Sequence, residues 1–133
     1  MDAARLTVRV DFGPDRALGP GKIRLLEAIR HTGSISQAAR KLGMSYRRAW
    51  LLVDDLNRCF REPVAITQPG GARGGGAALT PFGAELIEHY RAIEAQAAAA
   101  TKVQLRAIEV ALRNRGRRPQ KPLKTSIRVA PAR

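Results

Sequence analysis

The stretch "SISQAARKLGMSYRRAWLLVDDLNRCF", residues 34–60, narrows the choice of fold more than any other part of the chain. Ser34 is a good N-cap, and Gln37 three positions later completes the capping-box pattern. Residues 35–42 give about two turns of helix, with Ile35, Ala38, Ala39 and Leu42 on the inner face. Gly43 and Met44 interrupt it, and Ser45 caps a second helix. That helix carries Ala49, Trp50, Val53, Leu56 and Phe60 at spacings of three and four, and Trp50 has the period expected of a core residue. Ala38 is small where two crossing helices must approach, and Gly43 permits the tight turn between them. Two short amphipathic helices joined in this way make a helix-turn-helix.

The flanks supply the rest of a domain. "RLTVRVDF" at 5–12 alternates as a strand, with Leu6, Val8 and Val10 on one side and Arg5, Thr7, Arg9 and Asp11 on the other. A turn-rich connection, 13–21, leads to a helix in "KIRLLEAIRHTG", whose apolar side is Ile23, Leu26, Ala28 and Ile29. Gly33 closes that helix, and His31 sits where a cation favours the helix dipole. "PVAIT" at 63–67 and "AALT" at 77–80 predict two paired strands. Thr80-Pro81 is a cap followed by proline in the first helical turn. The helix it opens places Phe82, Leu86, Ile87 and Tyr90 on one stripe and is expected to run past "AQAAAAT". Val103, Leu105, Ile108, Val110 and Leu112 keep a helical period beyond, with Arg106 and Arg113 outside it. An apolar stripe so far from the body must be covered by something, and a second copy of itself is the simplest candidate.

Between the two strands stands "PGGARGGG", residues 69–76, with five glycines in eight positions. A nucleotide-binding phosphate loop needs a lysine and a hydroxyl directly after its last glycine. Here Ala77 and Ala78 follow. A dinucleotide fingerprint opens a helix after a strand, whereas here a strand follows the glycines. A bare flexible linker leaves the flanking strands unexplained. The tip of a β-hairpin accounts for both. The order strand, helix, helix-turn-helix, strand, loop, strand, long helix is a winged helix, with Arg73 the single charge on its wing tip.

The expected fold is therefore α/β, mainly α. It is a winged helix-turn-helix (34–60) with a two-stranded wing (63–80), an N-terminal strand and a long C-terminal helix. Residues 1–95 form the domain, 96–115 continue the last helix as a dimer contact, and 116–133 are a basic, proline-bearing tail read as disordered. The 133 residues carry a formal charge of +13, and 19 of the 24 basic residues are arginine. Residues 1–100 contribute +4 and residues 101–133 contribute +9. Such a balance points to a polyanion, most often nucleic acid. Cys59, expected to be buried, is the single cysteine, so neither an intrachain disulfide nor a zinc cluster is expected. No signal peptide or membrane span is apparent, which makes the chain cytoplasmic in expectation. There is no Ser/His/Asp constellation, and the adjacent Asp54 and Asp55 diverge around a helix, so Asp54 or Asp55 is better read as solvated or paired with Arg58. No catalytic residue, cofactor or metal is expected.

"HTGSISQAARKLGMSYRRAWLLVDDLN" at 31–57 with "GGARGGGAALTPFG" at 70–83 closely resembles the N-terminal DNA-binding domain of the molybdate-responsive ModE regulators. It resembles more distantly the winged helix of LysR-type regulators. The pattern of Ser45, Tyr46, Ala49 and Trp50, the glycine-rich wing and Leu79-Thr80 carry the likeness over residues 20–95. The resemblance implies a homodimer on double-stranded operator DNA. ModE regulators also carry C-terminal molybdate-binding domains. No strand-rich pattern follows residue 115 here, so a stand-alone domain is expected, without molybdate binding of its own.

For the interface itself, Ser45, Tyr46, Arg47 and Arg48 open the second helix of the motif, whose N-terminal residues meet base edges. Arg47 and Arg48 are expected on the groove or on phosphate, and Ser45 on a phosphate as well as on its own helix. Tyr46 suits either core or phosphate. Ser34, Ser36 and Gln37 begin the preceding helix, which meets the DNA backbone. A non-specific architectural protein, or a partner of a separate molybdate sensor, is the alternative.

Overall fold

The computed structural model describes residues 3–68 and 76–113. The expected disordered tail and the wing tip with Arg73 lie outside the described residues. Strand β1 (Val10–Asp11) pairs antiparallel with β2 (Ala17–Leu18). Helix α1 (Pro20–Thr32) follows, then α2 (Ile35–Lys41) and α3 (Tyr46–Cys59). The wing is β3 (Ala65–Gln68) and β4 (Gly76–Leu79), antiparallel with Ala65 opposite Leu79 and Gln68 opposite Gly76. Helix α4 (Pro81–Ala100) and α5 (Lys102–Val110) complete the order. The architecture is the expected winged helix-turn-helix.

Two expectations are corrected at the edges. The N-terminal strand shrinks to two residues, and its partner comes from the segment read as a turn. Residues 5–9 still alternate, with Leu6 and Val8 half-buried and Arg5, Thr7 and Arg9 exposed. Among the described residues no strand pairs with them, so the alternation does not mark a sheet. Tyr90 fixes this segment by donating its hydroxyl to the Val8 carbonyl at 2.7 Å. The long last helix is likewise divided at Thr101, whose φ of −110° and ψ of 10° leave the helical well. Its hydroxyl donates to the Ala97 carbonyl at 2.7 Å, a back-bond that bends helices.

The core lies where α1, α2, α3 and α4 meet the wing. Ile23, Leu25, Leu26 and Ile29 of α1 are fully buried, as are Ala38, Ala49, Leu56, Val64 and Tyr90. Each large apolar side chain buried in this way contributes about 1.5–3 kcal/mol. Gly83 lets α4 cross directly over the chain before β3, since a Cβ there would stand 2.0 Å from the Val64 carbonyl oxygen. Thr80 closes the same corner, accepting from the Gly83 N–H at 3.0 Å and donating to the Pro63 carbonyl at 2.6 Å. Arg91 of α4 reaches both carboxylate oxygens of Glu27 on α1, at 2.6 and 3.1 Å, and Glu94 at 2.6 Å. Hydrogen bonds to Glu27 and then Glu94 push the Arg91 pKa above its usual range. Burial pushes the Tyr90 phenol up, with the Glu94 charge adding to it. Among the described residues no helix is long and apolar enough to cross a membrane.

Candidate nucleic-acid interface

The helix-turn-helix is held by short-range bonds that follow directly from its sequence. Gly33 ends α1 with φ 70°, a left-handed conformation that glycine adopts without penalty. Ser34 then caps α2, accepting from the Gln37 N–H at 3.2 Å. Only half of the capping box forms, because the Ser34 N–H goes to Thr32 Oγ1 at 3.3 Å instead of the Gln37 side chain. Gly43, with φ 69°, makes the turn. The Met44 N–H returns to the Ala39 carbonyl at 3.0 Å and sets the direction of α3. Ser45 caps α3, accepting from the Arg48 N–H at 3.1 Å.

The turn and the wing form one unit. The Ala77 N–H donates to the Gly33 carbonyl at 3.0 Å, and Ser34 pairs with Gly76 in an isolated antiparallel bridge. The start of α2 is thereby tied to the strand that leaves the wing tip. On the other side, Asn57 joins α3 to β3. Its Oδ1 accepts from the Val64 N–H at 2.7 Å, and its Nδ2 donates to the Ala65 carbonyl at 3.1 Å. Nothing in the helical period marks Asn57 for this role. The only sequence signal was a polar residue on the flank where the apolar stripe should continue.

The expected contact residues fall into two groups, one at the start of each helix of the motif. Tyr46, Arg47 and Arg48 are exposed on the first turn of α3, with Ser45 exposed just before them. Ser36 and Gln37 are exposed on the first turn of α2, while Ser34 is half-buried in its cap and bridge. Tyr46 is 53% exposed, which leaves it to face solvent or a partner rather than the core. Arg58 is held by Asp54 at 3.0 Å, as the sequence suggested. The described ion pairs involve Arg9, Arg58 and Arg91, and neither Arg47 nor Arg48 is in one of them.

Two core expectations fail here. Trp50 is 43% exposed. Ala49, Val53 and Leu56 define the buried line, and Trp50 lies about 100° around the helix from Ala49, at the edge of the face. Cys59 is half-buried, for it lies at the last turn of α3, where the core thins. Phe60 is also half-buried, with its ring edge-on to Phe12 at 5.7 Å and Phe82 at 5.3 Å.

Residues 21–84 match the family of bacterial regulatory helix-turn-helix proteins, lysR family. This stretch is thus similar to the helix-turn-helix domain of LysR-type transcriptional regulators. Within that class the domain is ModE-like. The chain is 51% identical over 78 residues to the molybdenum-pterin-binding protein MopB of Rhodobacter capsulatus. It is 41% identical over 96 residues to the molybdenum transport protein ModE of Azotobacter vinelandii. It is also 41% identical over 71 residues to the DNA-binding transcriptional dual regulator ModE of Escherichia coli K12. These matches cover 59%, 71% and 53% of this chain. They span 29%, 36% and 27% of the relatives' own lengths, about a third or less.

Proposed function

We propose that this chain is a transcriptional regulator that reads operator DNA in a sequence-specific manner as a homodimer. The observation that carries the reading is the first turn of α3, where exposed Arg47 and Arg48 form no ion pair among the described residues, in a motif bonded to the wing. In this proposal α3 enters the major groove and Arg47 meets a base edge, since the guanidinium fork matches guanine O6 and N7. Arg48, Ser45 and Tyr46 meet groove edge or phosphate, and Ser34, Ser36 and Gln37 meet the backbone. Arg73 on the wing tip takes a further phosphate. No catalytic step belongs to this reading, and the cytoplasm is where it places the chain.

The homodimer is proposed from α5. Val103 is 77% exposed and Val110 69%, Ile108 and Leu112 are also exposed, and the body buries no residue of this helix. A two-fold axis through paired α5 helices sets two copies of α3 on the same face of a duplex, about 10 base pairs apart or a multiple of that. Selection of bound duplexes from a random pool tests both parts. A palindrome with that spacing is expected; a non-palindromic site would remove the dimer but keep sequence reading.

The charge of +9 on residues 101–133 favours a second reading, a non-specific coat on nucleic acid. Deleting residues 116–133 is expected to flatten the salt dependence of binding and leave sequence preference intact. Molybdate is not a partner in this proposal. Titrating it while following DNA binding checks that, with unchanged affinity expected.

A further inference from the structure

The flank of α3 that faces the wing holds a groove that the arginine contacts do not use. Its volume is about 340 Å³, and Ile35, Val53, Ala65 and Ala77 form its buried floor. Trp50, the only tryptophan of the chain, and Ile66 of β3 stand at its rim, 43% and 48% exposed. An apolar rim of this size on a surface otherwise rich in arginine needs a partner. The polar lining says which kind. Asn57 is spent on the backbone of β3. The one charged group among the lining residues is Asp54, whose Oδ2 is held by Arg58 Nε at 3.0 Å and whose Oδ1 is left as an acceptor.

The lining offers a carboxylate and no cation of its own, so the groove does not suit the DNA backbone. It suits a base edge. In the major groove the one apolar group is the thymine 5-methyl, and the donors a carboxylate can meet are the exocyclic amines of cytosine and adenine. We propose that this groove receives a thymine methyl group, with Trp50 and Ile66 as its walls and Asp54 accepting from the amine of an adjacent base. Trp50 is then a specificity-determining residue, separate from the arginines. This rests on the reading that α3 lies in the major groove.

The test exchanges thymine for uracil, which removes only the methyl group, one position at a time in the duplex selected from a random pool. At one position in each half-site the exchange is expected to weaken binding about fourfold, the factor that follows from burying one methyl. In Trp50→Ala the same exchange is expected to have no effect, while uracil at all other positions behaves as with the parent chain. Trp50→Phe keeps an aromatic wall and should retain part of the penalty. Trp50 is 43% exposed, so Trp50→Ala is expected to lower the melting temperature, and both variants are compared with the parent where all are folded; quenching of Trp50 fluorescence by the selected duplex gives an independent readout. A selected duplex indifferent to every exchange, or a penalty that persists in Trp50→Ala, overturns the groove while leaving the regulator reading in place. A pool that yields no preferred duplex overturns both.

Discussion

Helices α3 and α5 carry the same kind of apolar period and meet different fates. In α3, Ala49, Val53 and Leu56 close on the core, and the opposite side is left to Arg47, Arg48 and the Asp54–Arg58 pair. In α5, Val103, Ile108 and Val110 are exposed, as is Leu112 just past its end, and no residue of the helix is buried. Periodicity states that a face must be covered and does not state by what. For α3 the cover is the rest of the domain. For α5, beyond the bend at Thr101, no described part of the domain buries any of its residues.

Removing apolar volume separates the two helices most sharply. Leu56→Ala leaves a cavity in the core and is expected to cost about 2–5 kcal/mol in urea unfolding. Asn57→Ala strands the Val64 N–H and frees β3 from α3, for an expected loss of about 1–3 kcal/mol. That variant should weaken DNA binding more than its stability loss explains, because the wing no longer keeps its place beside the recognition helix. Ser45→Ala removes the cap of α3 and is expected to cost about 1 kcal/mol, with Ser45→Gly milder. Val103→Ala sits at the bottom of the series, with unfolding at high dilution unchanged. Its effect should appear in sedimentation as weaker self-association. A Val103→Ala chain that loses as much stability as Leu56→Ala would mean that α5 folds back on its own domain, and the contrast would fall.

Most of the fold was legible because its signals are local. Ser34, Gly43, Ser45 and Thr80-Pro81 each act within a few residues, and each performs its expected cap or turn. The misreadings share a different origin. Alternation in residues 5–12 fits a strand, but only contacts distant in sequence, such as Tyr90 to Val8, decide whether it finds a ladder. Trp50 has a core spacing and lies at the edge of the face, where the width of the neighbouring wing decides its exposure. The Asn57 clasp depends on β3 returning alongside α3, which no spacing within the helix reveals. That Arg47 and Arg48 stand exposed on the first turn of α3 was legible, because the Ser45 cap fixes where that helix starts. The apolar groove beside them was not, because its lining comes from four separate elements, α2, α3, β3 and β4.

The central claim is that the first turn of α3 reads sequence rather than charge. It is tested most directly by the ratio of affinities for the selected duplex and a scrambled one, measured for the parent chain and for Arg47→Ala at about 0.15 M salt. The parent chain is expected to prefer the selected duplex by about a thousandfold or more. Arg47→Ala should lose about 1–3 kcal/mol on the selected duplex and little on the scrambled one. A parent ratio near one, or an equal loss on both duplexes, would contradict the claim and leave Arg47 as a phosphate contact.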